Sequence, residues 1–157
     1  MIKTWFLVSL LALGADPSEV AMRYLQALYG QDSATLETVA SESLLFHDPT
    51  AVELGQGPVR FEGREAVVDF FRASLATVES SRFEVVRRFT AGEKTVLELT
   101  YVVRGDGEVF GAAGTDLELH IPGVTVLTVR DGKVLEHQDF IDYRDMLRQV
   151  EAQKSGG

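Results

Sequence analysis

The sequence predicts an α+β domain in which helices come first and strands follow. Three observations carry this expectation. Apolar residues recur at helical spacing in the first half, with Val20, Tyr24 and Leu28 as one stripe. After Ser81 the period drops to two, the mark of a half-buried strand. The later strands are separated by turn residues, and Asp131-Gly132 is the clearest hairpin signal in the chain. Elements segregated in this way form an antiparallel sheet with helices on one face.

The elements follow in order. Asp16-Pro17-Ser18-Glu19 is a helix start: Asp caps, Pro takes the first helical position, and Glu sits three residues after the cap. Gly30 ends that helix. Asp32 or Ser33 opens a short second helix that runs to Val39. Ser43 to Asp48 is a strand stopped by Pro49, and Thr50 to Pro58 is a loop. Glu65 to Val78 is a third helix, with Val67, Phe70, Phe71, Ser74 and Val78 on one side. Strands are then expected from Phe83 to Phe89 and from Lys94 to Arg104, joined by the turn Ala91-Gly92-Glu93. Leu97, Leu99, Tyr101 and Val103 share a face of the second. Gly105-Asp106-Gly107 reads as a tight hairpin turn. Val109 to Ile121 continues as strand with a bend at Gly111 to Gly114, and Pro122-Gly123 breaks it again. Val124 to Arg130 and Lys133 to Ile141 form the last hairpin. Asp142 caps a final short helix, Tyr143 to Ala152, and residues 153–157 are a tail.

A chain of 157 residues suits one domain, here residues 16–152. A domain of this size buries roughly 70% of its unfolded surface, so its stability requires no disulfide or metal. The absence of cysteine removes disulfides, thiolate zinc sites and thiol nucleophiles. A formal charge of −9 makes nucleic acid a poor partner. Residues 1–15 resemble a secretory leader: Lys3, an apolar run from Trp5 to Leu13, then Gly14 and Ala15. The run is too short to span a bilayer. Cleavage would make the protein exported; retention of the segment would leave it cytoplasmic.

Phe46-His47-Asp48-Pro49, then Phe61-Glu62-Gly63-Arg64-Glu65-Ala66-Val67, then the hairpin ending in His137-Gln138-Asp139-Phe140-Ile141-Asp142 form an ordered set. Their order and spacing resemble the nuclear-transport-factor-2-like superfamily, and its SnoaL-like branch most. The resemblance covers about Asp16 to Gln149. It implies a cone-shaped curved sheet packed with three N-terminal helices, a central apolar pocket and, usually, a homodimer. It also implies a range of activities, since the fold hosts isomerases, cyclases, epoxide hydrolases and binding proteins alike.

The residues that could carry chemistry are few. His137 and Asp139 lie two apart on a strand and so share a face with Ile141. An ionisable pair among apolar neighbours is costly unless it is paired or used. Asp48 ends a strand; in the similar ketosteroid isomerases an Asp of the matching Asp-Pro motif is the general base, and Tyr24 resembles the oxyanion-hole tyrosine. The second acid of that hole, an Asp kept protonated in ketosteroid isomerase, is replaced here by Thr125. Asp139 matches an acid–base Asp of limonene epoxide hydrolases, but the partner Arg and Asp of that mechanism fall at Leu99 and Tyr101. What remains is Asp48, His137, Asp139 and Tyr24 as catalytic candidates, with Phe71, Leu99, Tyr101, Thr125, Leu127 and Ile141 as substrate contacts. No cofactor is implied; a metal site would need three or four converging ligands, which three histidines on three separate segments leave possible without favouring.

Three functions are open. The first is a cofactor-independent acid–base enzyme of isomerase, cyclase or lyase type acting on an apolar carbonyl compound. The second is an exported binding protein for a small hydrophobic ligand. The third is a structural dimerisation domain with a filled cone. Val96, Val102, Val126 and Phe140 on the outer sheet face suggest a homodimer through that face.

Overall fold

The computed structural model describes residues 14–154. The expected leader lies almost wholly outside the described residues. Four helices, α1 (Pro17–Tyr29), α2 (Ser33–Val39), α3 (Arg64–Leu75) and α4 (Tyr143–Lys154), accompany six strands. The strands are β1 (Ala40–Asp48), β2 (Val59–Glu62), β3 (Ser80–Ala91), β4 (Lys94–Asp106), β5 (Asp116–Arg130) and β6 (Lys133–Ile141). They form one sheet in the order β2-β1-β6-β5-β4-β3. The architecture is α+β, as expected.

The sheet is mixed rather than wholly antiparallel. β1 runs parallel to β6, with Phe46 opposite His137, while every other neighbouring pair is antiparallel. This single parallel junction joins strands some ninety residues apart, and no turn signal announces such a pairing. β2 is a further strand where the sequence predicts a direct run from loop to helix. Its signal is present as the strict alternation Val59, Arg60, Phe61, Glu62, with the first and third half-buried. Register shifts in β1, β3 and β6, the last at Leu135, mark irregularities of the kind that bend a sheet.

The helix starts obey their caps. Asp16 accepts a hydrogen bond from the Ser18 amide at 2.9 Å, and Asp32 accepts from the Thr35 amide at 3.1 Å. At the end of α1 the left-handed residue is Gln31 (φ 55°), while Gly30 keeps helical angles. Gly30 is small for another reason: a Cβ there would lie 2.9 Å from the Gln26 carbonyl oxygen.

Two expected breaks in the strands are displaced. Gly105 pairs with Leu117 inside the sheet, so the turn is not at Gly105 to Gly107. β4 and β5 are instead joined by residues 107–115, which include a short 3-10 helix, Gly107–Phe110. Pro122-Gly123 does not interrupt β5. The Pro122 carbonyl accepts from the Asp142 amide at 2.9 Å, just past the end of β6. The proline ring therefore sits where β6 no longer requires a donor, a position that tolerates its missing N–H. Gly123 lets its neighbours close in, since a Cβ there would lie 2.8 Å from the Tyr101 ring and 2.9 Å from Ile141. The Asp131-Gly132 hairpin matches its sequence signal, with φ of 51° and 74° as a type I′ turn requires.

Beyond the end of β6 the upper part of β5 has a free edge. α4 covers it with amide side chains: Gln149 bonds both the amide and the carbonyl of His120, and Gln153 does the same at Glu118. Each glutamine thus replaces one missing strand pairing. The core lies between the helices and the inner sheet face, where Leu25, Leu28, Leu44, Leu97, Leu99, Leu119 and Leu127 are fully or almost fully buried.

Candidate functional site

Inner-face side chains of three adjacent strands fall into rows. Leu97, Thr125 and Asp139 form one row, and Thr95, Leu127 and His137 the next. β1 adds Phe46 beside His137. The alternation of β6 therefore turns both His137 (0% exposed) and Asp139 (5%) inward.

The two are linked, with His137 Nε2 at 2.9 Å from Asp139 Oδ1. On the other side of the imidazole, the Tyr24 hydroxyl lies 3.0 Å from Nδ1. Burial, aided by the charge of Asp139, holds the Tyr24 hydroxyl well above its ordinary pKa. A protonated phenol donates to Nδ1, which assigns the remaining ring hydrogen to Nε2 and directs it at the carboxylate. Asp139 Oδ1 also accepts from Thr125 Oγ1 at 2.5 Å and from the Tyr101 hydroxyl at 3.3 Å. The Tyr101 hydroxyl lies 2.6 Å from Thr125 Oγ1. A chain of donors thus converges on a single carboxylate oxygen.

The other oxygen of Asp139 is treated differently. Among the described residues, every hydrogen bond to this carboxyl reaches Oδ1, and none reaches Oδ2. No buried side-chain oxygen or nitrogen among them is left without a partner. Oδ2 is therefore accessible, and the residue lines a cavity of about 550 Å³ between the sheet, α1, α3 and α4. Tyr29, Phe46, Phe71, Tyr101, Ile141 and Tyr143 share that lining.

Asp48 lines the same cavity and is 3% exposed. Its oxygens are both engaged. Oδ1 accepts from the Thr50 and Ala51 amides at 2.9 and 3.1 Å and from Thr50 Oγ1 at 2.5 Å. Oδ2 accepts from the Tyr143 hydroxyl at 2.6 Å. Thr50 Oγ1 in turn accepts from the Ile141 amide at 2.9 Å. Asp48 thereby caps the 3-10 helix Pro49–Leu54 and ties it to the end of β6 and the start of α4.

The structure brings Tyr24, His137, Asp139, Thr125 and Tyr101 together in one hydrogen-bonded chain. Asp48 stands outside that chain, with its own partners. Phe71, Tyr101 and Ile141 line the cavity, whereas Leu99, Leu127 and Thr125 do not; they lie behind its wall in the core. Tyr24 does not line it either and acts from behind His137. Two lining residues carry no sign of this role in the sequence. Tyr29 is the last residue of α1, stacked on Tyr101 with ring centres 6.0 Å apart. Tyr143 is the first residue of α4, two positions beyond the strand that carries His137 and Asp139. Burial is the first cause, and Asp139 a further one, of raised hydroxyl pKa values at Tyr29 and Tyr101. Burial and the bond to Asp48 do the same at Tyr143. His47 is half-buried, and His120 is exposed beside Glu118 at 2.9 Å. Among the described residues no group of three or more His, Cys, Asp or Glu side chains could hold a metal ion. Nor is any described helix long and apolar enough to cross a membrane.

This fold is that of the nuclear-transport-factor-2-like superfamily. Residues 21–137 match the SnoaL-like domain, and the chain belongs to that family. Among solved structures, a protein from Shewanella putrefaciens CN-32, described as a candidate SnoaL-like polyketide cyclase, is 30% identical with a TM-score of 0.77. That match covers 87% of this chain and 97% of the other. A Catenulispora acidiphila protein with a ketosteroid isomerase-like fold, solved with trimethylamine, is 18% identical, TM-score 0.68, covering 88% and 97%. An LEH-like epoxide hydrolase from M. tuberculosis is also 18% identical, TM-score 0.67, covering 89% and 92%. The last two share the fold. No curated protein matches the chain.

Proposed function

We propose that the protein is a cofactor-independent acid–base enzyme of isomerase or cyclase type, with Asp139 as its base. The observation that carries this reading is the asymmetry of the Asp139 carboxyl: Oδ1 is held by three donors while Oδ2 is open to the cavity. A base fixed in this way needs no reorganisation to meet a C–H bond beside a carbonyl. Oδ2 would take that proton, and the enolate would develop its charge towards a tyrosine hydroxyl of the lining. Return of the proton to another carbon gives an isomer; attack of the enolate carbon on a second carbonyl of the same molecule closes a ring and leaves an alkoxide, which takes the proton back from Asp139 to give the hydroxyl. His137 and Tyr24 are positioning residues that hold the carboxylate from behind. The family membership and the likeness to the Shewanella protein support a small apolar carbonyl substrate.

The test is deuterium exchange at the α-carbons of a panel of cyclic ketones and β-diketones, followed by NMR with the full chain. Wild-type protein should accelerate exchange of at least one compound, and Asp139→Asn should not. Equal rates for the two proteins across the panel would remove the reading.

A second reading is binding without turnover, favoured by the size of the cavity, which lies in the range that holds small organic ligands. Mass spectrometry of the purified protein would find a retained small molecule. A filled cone, as a purely structural domain would have, does not agree with a cavity of about 550 Å³. We also propose that two copies meet through the outer sheet face. Phe140 is 40% exposed there, and Val96 and Val126 are half-buried, while Val102 is already covered at 1%. Light scattering should give a dimer mass that Phe140→Lys lowers; a monomer mass for the unmodified chain would rule this out.

A further inference from the structure

The cavity wall has an electrical sign. Among the described residues that line it there is no Lys, Arg or His, while two are aspartates. The hydrogen-bond donors on the wall are largely directed inward: Tyr143 donates to Asp48, and Tyr101 lies against Thr125 and Asp139. An anion entering the cavity would therefore meet an open carboxylate oxygen and no cation to offset it.

The remaining wall is rich in aromatic rings, whose faces carry negative charge density. Phe46 and Phe71 flank the imidazole that holds Asp139, with ring centres 5.0 and 5.6 Å from it. Tyr29 lies 6.1 Å from Phe71 and 6.0 Å from Tyr101, centre to centre. The Tyr101 hydroxyl is itself 3.3 Å from Asp139 Oδ1. These four rings line the same cavity as Asp139. Rings beside a carboxylate are a setting in which a poorly hydrated organic cation is attracted by both.

We infer that the cavity binds apolar molecules bearing a positively charged nitrogen, a quaternary ammonium or a protonated tertiary amine, with that nitrogen against Asp139 Oδ2 and the rings of Tyr29, Phe46, Phe71 and Tyr101. This is a binding activity distinct from the proton transfer proposed above. It rests on the same open oxygen but requires no turnover. An ammonium seated on Oδ2 occupies the base, so such cations also compete with any substrate that Asp139 deprotonates.

The test compares three probes of similar size on the full chain by calorimetry and ligand-observed NMR: phenyltrimethylammonium, its neutral isostere tert-butylbenzene, and phenylacetate. The cation should bind about tenfold more tightly than the neutral isostere, the order expected of a desolvated cation–π and ion-pair contact. Phenylacetate should not bind. In Asp139→Asn the preference for the cation should shrink to about twofold or less. Ser74→Lys adds a cation at the cavity lining without replacing Asp139, and it should weaken phenyltrimethylammonium more than tert-butylbenzene, so that the preference for the cation shrinks. This second variant decides the matter if Asp139→Asn folds poorly. Equal or tighter binding of the neutral isostere, measurable binding of phenylacetate, or a cation preference untouched by both variants would overturn the inference. A protein that ranks the probes as expected but exchanges no ketone protons would sink the proposed enzyme and keep this site. The reverse pattern would do the opposite.

Discussion

Two buried carboxyls line one cavity and do different work. Asp48 spends both oxygens on the fold: two amides, two hydroxyls and the start of a 3-10 helix depend on it. Asp139 concentrates its partners on one oxygen and leaves the other open. Burial and cavity position are nearly the same for the two, so neither property distinguishes a base from a brace. In the proposed reading the distribution of hydrogen bonds between the two oxygens does. A carboxylate with every strong acceptor position filled by the protein has little capacity left for a substrate proton, whereas one anchored on a single side is both fixed and available.

The largest expected effect follows directly. Asp139→Asn should lower catalysed exchange by about 10²- to 10⁴-fold, the contribution usual for a positioned general base. Its melting temperature should stay within a few degrees, because the amide oxygen can still accept at the Oδ1 position. Paired NMR exchange and thermal melts check this. A variant that keeps full activity would place Asp139 in the same structural class as Asp48.

The next effect concerns the tyrosines, because all four in the chain stand around these two carboxyls. Each hydroxyl is held above its ordinary value of 10.0 by burial first, with negative charge adding to it. Below about pH 10 native and unfolded chains both keep the phenol protons, and this contribution to stability is complete. Above it the unfolded chain releases them and the native one does not, so stability falls as pH rises. Ultraviolet difference titration should show almost no phenolate in the folded protein just above about pH 10. Phenolate should then appear cooperatively with loss of circular dichroism. Tyrosines that ionise at their ordinary pH with the fold intact would show that the cluster is wetter than described.

Third, Asp48→Ala should cost about 3 kcal/mol of stability, since it strips a cap and several charge-assisted hydrogen bonds at once. Urea denaturation measures it. A cost below about 1 kcal/mol, the net worth of a single ordinary hydrogen bond, would mean that the Asp48 cluster is not the brace proposed here.

How much of this contrast is legible in the sequence depends on which residue is asked. The inward direction of His137 and Asp139 follows from period two on a strand whose hairpin is marked by Asp131-Gly132. Helix starts at Asp16, Asp32 and Asp142 are equally plain, because a cap is local chemistry. Asp48 and Asp139, however, look alike as letters, each an acid beside apolar neighbours. What separates them is Tyr143 reaching back to Asp48 across 95 positions and Thr125 meeting Asp139 through strand register. The parallel β1–β6 pairing, which sets Phe46 against His137, has no local sign either. Pro122-Gly123 has the residue types of a break, yet the strand runs through it. Its tolerance depends on β6 ending beside the proline and on Tyr101 needing the space above the glycine, both of which are tertiary facts.

The smallest effect is also the sharpest test of the comparison. Tyr143→Phe removes the single hydrogen bond to Asp48 Oδ2 and should cost about 1–2 kcal/mol. It also opens that oxygen to the cavity, so that Asp48 acquires the outward geometry of Asp139 while keeping Oδ1 anchored by Thr50 and Ala51. If an open oxygen were all that a base requires, Tyr143→Phe combined with Asp139→Asn would regain exchange activity. The arrangement behind each carboxyl argues that it will not. Asp139 is backed by an imidazole whose hydrogen is aimed by Tyr24, so charge that shifts on proton transfer can be met along the chain. Asp48 is backed by amides and a hydroxyl that have no such second partner to draw on. Recovery of the wild-type exchange rate in the double variant would show that openness alone makes the base, and that His137 and Tyr24 serve only to fill the core.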